Sequence, residues 1–234
     1  MSDKALFMGA TMKAKFTVLA FLILFSLSGC AFIEKTRRAD ELETENANLR
    51  HRIAQLLKEK TKEVQKVYEE KDKEFSELER AKRELEESLK KEIGEYKAKL
   101  QMTERGLVIT FLSEVFFDSG KDIIKADGKL SLDKVAEVLN RDVPDSQVAV
   151  EGHSDNDPIK YSGWKSNWEL SSGRALAVLH YLVDECKVEP QRLSANGYGE
   201  YHPVAPNDTS QNKQKNRRVE IVILPSKVSK VKAQ

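Results

Sequence analysis

Two charged side chains, Asp155 and Arg174, carry the spacing from which a recognition chemistry can be built. Asp155 closes the run Val150-Glu151-Gly152-His153-Ser154-Asp155, which reads as an apolar strand ending in a turn. Arg174 follows Asn167-Trp168-Glu169-Leu170-Ser171-Ser172-Gly173, which reads as the first two turns of a helix. Asn167, Leu170 and Arg174 stand at i, i+3 and i+7, so one helix face presents all three. A carboxylate and a guanidinium facing one small site suit a zwitterion. The carboxylate accepts from an ammonium, and the guanidinium holds a carboxylate in a bidentate fork that lysine cannot reproduce.

Rival chemistries fit less well. His153, Ser154 and Asp155 invite a hydrolase, but adjacent residues on an extended strand point to opposite faces, so His153 and Ser154 do not converge on one pocket. His153 and His202 lack a third metal ligand at helical or turn spacing, and Cys186 in an amphipathic helix reads as a small buried apolar residue. The expectation is a binding protein, not an enzyme, with no metal and no cofactor. Trp164 and Trp168 have the chemistry to stack on sugar rings, although edge packing of their loop is the plainer account.

The elements that must position Asp155 and Arg174 lie between about residues 107 and 224. Leu107–Phe111, Gln147–Glu151, Arg192–Asn196 and Val219–Leu224 read as strands. A helical stripe runs through Ile124, Leu130, Leu132, Val135, Val138 and Leu139, and a second helix runs from about Asn167 to Cys186. Strands alternating with helices imply an α/β (α+β) layer: a mixed sheet of about four strands with helices packed on one face.

That order of elements resembles the OmpA/MotB C-terminal peptidoglycan-binding domain family. The resemblance is carried by Gly152-His153-Ser154-Asp155, by Asn167 with Leu170-Ser171 and Arg174-Ala175, by Arg192-Leu193 leading to Gly197-Tyr198-Gly199-Glu200, by Pro203 and Asn207, and by Asn216-Arg217-Arg218-Val219-Glu220-Ile221. It implies binding of peptidoglycan through a diaminopimelate-type stem peptide. On that resemblance Asp155 accepts from the ligand ammonium and Arg174 pairs with its carboxylate. Asn167, Leu170, Asp118, Asn216 and Arg217 complete the implied ligand set, with an N-cap as the alternative for Asn167, core packing for Leu170 and turn chemistry for Asp118. Arg218 reads as a structural partner of the last strand. Ser154 stands where the family often has threonine, and Gly173 where a longer side chain is usual. Parts of the motif set look closest to flagellar motor stators, which carry a retained membrane helix with an ion-carrying aspartate. Here the apolar run Phe16–Leu27 contains no acid, so ion translocation is not expected.

Upstream, Lys13-Ala14-Lys15, the apolar run and Ser28-Gly29-Cys30 have the three-part form of an export signal over residues 1–29. The run is about a dozen residues, whereas spanning a bilayer takes roughly 20. Leu27-Ser28-Gly29-Cys30 resembles a bacterial lipobox, which implies acyl chains on Cys30, a lipidated N-terminus over 30–34 and attachment to a membrane surface. Ala31 leans towards the outer membrane, facing the periplasm.

Residues 35–104 read as a charged helical spacer. Leu42, Leu49 and Leu56 with Ile53 form one apolar register, and Val64, Tyr68, Phe75, Leu78, Leu85, Leu89 and Tyr96 a second. Asn46 and Lys82 fall on the seam. The expected arrangement is a coiled-coil homodimer, with a single helix held by i,i+4 ion pairs as the alternative. At roughly 1.5 Å per residue, such a rod reaches on the order of 100 Å. The binding domain is expected over 105–225 and a flexible tail over 226–234. A formal net charge of +1, with 33% charged residues of interleaved sign, gives no field for concentrating nucleic acid, so that partner class is excluded.

Overall fold

The computed structural model of the chain describes residues 3–160 and 162–225, with side chains described from Ile33 onward. The expected signal, the lipidation at Cys30 and the tail at 226–234 fall outside the described side chains. Among the described residues, no helix is long and apolar enough to cross a membrane. The chain divides into two units, Met1–Val67 and Tyr68–Gln234.

Helix α1 (Asp3–Ser88) supplies all the described structure of the first unit. Its unbroken run of Lys, Arg, Glu, Leu and Ala contains no proline from Glu34 onward and favours helix throughout. Pairs such as Arg37–Glu41, 3.2 Å apart, add local support. The first apolar register lies along the helix with Leu42, Leu49, Ile53 and Leu56 each more than half exposed.

The second unit holds a five-stranded sheet in the order β1-β2-β5-β3-β4. Its strands are β1 (Ala98–Thr103), β2 (Gly106–Leu112), β3 (Gln147–His153), β4 (Leu193–Gly197) and β5 (Arg218–Leu224). Only the β3–β4 pair is parallel. Helices α2 (Lys90–Gly94), α3 (Ser113–Phe116), α4 (Ala126–Arg141), α5 (Asn167–Asp184) and α6 (Ser210–Asn216) complete it. Alternation sets the two faces of the sheet. Val148, Val150, Ile221 and Ile223 turn towards Leu132, Val135 and Leu139 of α4 and Val178 and Leu182 of α5 in the main core. Ala149, Val222 and Val108 form a small cluster on the opposite face.

The mixed α/β class is as expected, but the sheet has five strands rather than about four. The added strand, β1, falls in the stretch read as spacer. Ala98, Leu100 and Met102 alternate with Lys99, Gln101 and Thr103, a period of two that is short and follows a long helical pattern. The change of direction comes at Tyr96, whose φ of 57° is left-handed. Part of the second apolar register is also reassigned: Leu78, Leu85 and Leu89, with Ala81, are buried in the core of this unit, so they pack within the chain and not on a coiled-coil seam, whereas Val64, Tyr68, Phe75 and Tyr96 are exposed. Leu85 and Leu89 have no exposed surface, and burial of such a side chain is worth about 1.5–3 kcal/mol. Arg80, itself half-exposed, adds an ion pair to the same unit, 3.4 Å from Asp142. The folded unit thus begins before the expected 105.

Candidate binding site

Helix α5 delivers Arg174. Ser166 caps it by accepting from the Glu169 amide at 3.3 Å, and Glu169 reaches back to accept from the Lys165 amide at 2.8 Å. Ser166, not Asn167, is therefore the N-cap. The helix lies hard against β3 because Gly152 has no side chain: a Cβ there would stand 2.0 Å from the Ser171 carbonyl oxygen. Gly173, the departure noted in the sequence, leaves room for the Trp164 indole, whose six-membered ring would be 2.6 Å from an added Cβ. Trp164 Nε1 donates to the Gly120 carbonyl at 3.0 Å, which ties the loop carrying Asp118 to the helix.

Asp118, Asp155, Asn167, Leu170, Arg174 and Arg217 line one cavity of about 620 Å³. Arg174, 4% exposed, donates from Nε to the Lys121 carbonyl at 3.0 Å and from Nη2 to the Asp118 carbonyl at 3.2 Å. These bonds leave Nη1 available. Its guanidinium carbon lies 5.2 Å from the centre of the Phe117 ring. Burial first, and then the charge of Arg217, push the Arg174 pKa down to about 10, against the opposing pull of Asp155 and Asp122. The group is still a full cation at neutral pH.

Asp155, also buried, accepts from the Asp157 amide at 3.2 Å and from Arg217 Nη1 at 2.5 Å. The aspartate is thus neutralised by a side chain that a competing cation can replace. Asp118 enters the site through its backbone carbonyl, while its carboxylate takes Lys121 Nζ at 3.3 Å on the exposed surface. Asn167 Nδ2 donates to the carbonyls of Asp155 and Asp157 at 3.3 and 3.0 Å and to Glu200 Oε2 at 2.6 Å, so one side chain ties three segments. Leu170 is buried in the cavity wall. Ser113 and Ser154 also line the cavity, and among the described residues their buried hydroxyls have no hydrogen-bond partner. Such groups are ready for a polar ligand atom.

Asn216 is corrected. It is fully buried and does not line the cavity. Its Oδ1 accepts from the amides of Val204 and Ala205 at 2.9 and 3.0 Å, and its Nδ2 donates to the Ala205 carbonyl and to Asn207, both at 2.8 Å. With its amide fully engaged it holds the 203–207 loop rather than a ligand. Arg218 is structural as expected, donating to Glu220 at 2.6 Å and to the carbonyls of Asn216 and His202. Phe117, Lys121 and Ser113 escaped the sequence reading; for Phe117 the signal was an aromatic immediately before the motif's Asp118.

His153 lies on the other face of the sheet. It is 4% exposed, stacks on Tyr198 at 5.0 Å between centroids, and neither ring nitrogen has a partner among the described residues. Burial, then the Arg218 charge, lower its pKa to about 3, so the ring is neutral. Glu151, His153 and Glu220 bring potential metal-ligand atoms within 4.8 Å of one another. Both carboxylates are already paired, Glu151 with Arg105 and Glu220 with Arg218, so a cation there would have to displace two guanidiniums. A larger groove of about 1140 Å³ follows β1 and α2, but its least exposed ionic groups, Arg218 and Glu220, satisfy each other. Opposed charges, Asp155 with Arg174 and Arg217, converge at the smaller cavity.

The OmpA family pattern matches residues 116–217, a span that includes every cavity residue named above except Ser113. Motility protein B of Bacillus subtilis is 40% identical over 149 residues, covering 64% of this chain and 57% of that protein. The cell wall anchor of the T6SS from Pseudomonas aeruginosa superposes with a TM-score of 0.55 at 30% identity, covering 60% of this chain and 96% of that one. The periplasmic domain of Helicobacter pylori MotB superposes with a TM-score of 0.52 at 29% identity, covering 58% and 88%. The chain spans about half the length of the curated relatives it matches. Residues 116–217, somewhat less than half of the chain, thus match the OmpA family domain.

Proposed function

We propose that the C-terminal domain binds peptidoglycan non-covalently, gripping a stem-peptide amino acid of the diaminopimelate type. The observation that carries this reading is the convergence of Asp155, Arg174 and Arg217 on one cavity of about 620 Å³. A free amino-acid end brings an ammonium that can take the place of Arg217 on Asp155, and a carboxylate for Arg174 Nη1 and the released Arg217. A simple carboxylate lacks the first group, and a simple amine the second, so the site favours the zwitterion. The protein is further proposed to be held at the outer membrane by lipid on Cys30 and to face the periplasm, with α1 crossing the gap to the wall. Sequence similarity to a cell wall anchor and to periplasmic MotB domains supports an envelope location.

Co-sedimentation with purified sacculi tests the site. Asp155→Ala and Arg174→Ala should each abolish pull-down, and retention of both variants at the parental level would refute the assignment. Cys30→Ala should release the protein from the membrane fraction; unchanged fractionation would remove the lipid anchor from the scheme.

A second reading is favoured by the exposed stripe Leu42, Leu49, Ile53 and Leu56. In it α1 pairs with a second copy or another helix, and the domain only localises a scaffold. Deleting residues 35–67 leaves the folded unit intact and separates the two. Loss of envelope attachment with wall binding preserved supports a spacer, whereas loss of a specific protein complex supports a scaffold.

A further inference from the structure

Next to the charged cavity the protein displays two large aromatic rings in solvent. Trp168 is 46% exposed and Tyr201 62% exposed, and they stack with centroids 5.1 Å apart and planes inclined by 22°. Trp164 is accounted for, since its indole is bonded to Gly120 and seated on Gly173. Trp168 has no such role: its ring leans over Gly199 and against Tyr201 at the surface.

The loop that presents Tyr201 is held from below by buried polar side chains. Asn216 binds the backbone of Val204 and Ala205, and Arg218 donates to the His202 carbonyl at 3.1 Å. The Tyr201 amide closes a turn onto the Tyr198 carbonyl at 3.3 Å. Such anchoring fixes an exposed ring in place, so a ligand would meet a preorganised surface and lose little side-chain entropy on binding.

The platform is also continuous with the cavity. Trp168 follows Asn167, Tyr201 follows Glu200, and those two preceding residues are joined by the 2.6 Å bond from Asn167 Nδ2. From this juxtaposition we infer that Trp168 and Tyr201 form a second subsite, which takes a pyranose ring of the glycan strand carrying the gripped peptide. The inference rests on the proposed peptide-binding role. A sugar presents an apolar C–H face suited to an aromatic face and needs no charge, whereas the stem peptide supplies the charges the cavity requires. In peptidoglycan the two chemistries belong to one covalent molecule, the stem peptide being attached to the glycan strand, and the two surfaces are neighbours here. Glu200 between them is a hydrogen-bond acceptor of the kind hydroxyl groups use.

The test uses the full chain with three probes: purified sacculi, free diaminopimelate and a peptide-free N-acetylglucosamine tetrasaccharide. Trp168→Ala and Tyr201→Ala should each weaken sacculus binding about two- to tenfold, the range expected for one aromatic contact. Both should bind diaminopimelate like the parent, and Trp168→Phe should recover most of the loss. In the parent, the tetrasaccharide should shift the indole N–H resonance of Trp168 and leave that of Trp164 in place. Asp155→Ala should lose diaminopimelate yet keep the tetrasaccharide response, which separates failure of this subsite from failure of the peptide site. Parental sacculus binding by both alanine variants, or equal loss of diaminopimelate binding in them, overturns the glycan subsite. So does an unmoved Trp168 resonance.

Discussion

Replacing Arg174 by methionine should separate binding from folding. The Arg174 pKa, down to about 10 chiefly through burial, lies below the ordinary arginine value of about 12.5, a difference that corresponds to about 3 kcal/mol against holding the charge in the folded protein. Because the folded value is depressed, that cost is constant at all pH below about 10 and is relieved only above it. Changing pH near neutrality therefore does not reveal it; substitution does. Methionine fills much of the same volume without the charge, and the two carbonyls that Arg174 engages, on Asp118 and Lys121, belong to a surface loop that water can reach. Arg174→Met should leave stability unchanged or raise it by up to about 3 kcal/mol in urea denaturation. It should weaken diaminopimelate binding by about ten- to a hundredfold in titration calorimetry, since a hydrogen bond to a charged group is worth about 1.5–3 kcal/mol. A variant destabilised by more than about 2 kcal/mol that still binds the ligand would refute the reasoning, because Arg174 would then be a structural brace.

Two further outcomes follow from buried groups. His153, with its pKa lowered to about 3, binds a proton more readily unfolded than folded, so stability should fall by about 4 kcal/mol as pH drops from about 6.5 towards 3. His153→Phe, which orphans no hydrogen bond, should flatten that window in denaturant titrations at stepped pH. In helix α1, Leu85→Ala should destabilise the C-terminal unit by about 2–5 kcal/mol, whereas Leu49→Ala should change its stability by less than about 0.5 kcal/mol and, on the proposed pairing of α1, weaken self-association. Urea midpoints and sedimentation equilibrium distinguish the two.

The charged cavity was legible because its signal is local: a strand end, a helix face, and residue types with narrow chemistry. Asp155, Asn167, Leu170 and Arg174 converge as their spacing implies. What the sequence hid was long-range. Leu42 and Leu85 both recur at helical spacing in a charged helix, and nothing local tells that one faces solvent while the other enters a core. β1 was hidden for the same reason, its short alternation following a long helix. Asn216 and Arg217 are neighbours in one motif, yet one is buried under a loop and the other rests on Asp155, because the turn after α6 sends them to opposite sides.

Continuity of α1 into the second unit has a mechanical consequence. A pull along this helix does not peel strands from the sheet one hydrogen bond at a time. It loads Leu78, Ala81, Leu85, Leu89 and the Arg80–Asp142 pair together. Contacts that share a load must yield as a group, so the last turns of α1 hold to the second unit collectively, and none of these residues lines the candidate cavity built from α5 and the ends of β3 and β5.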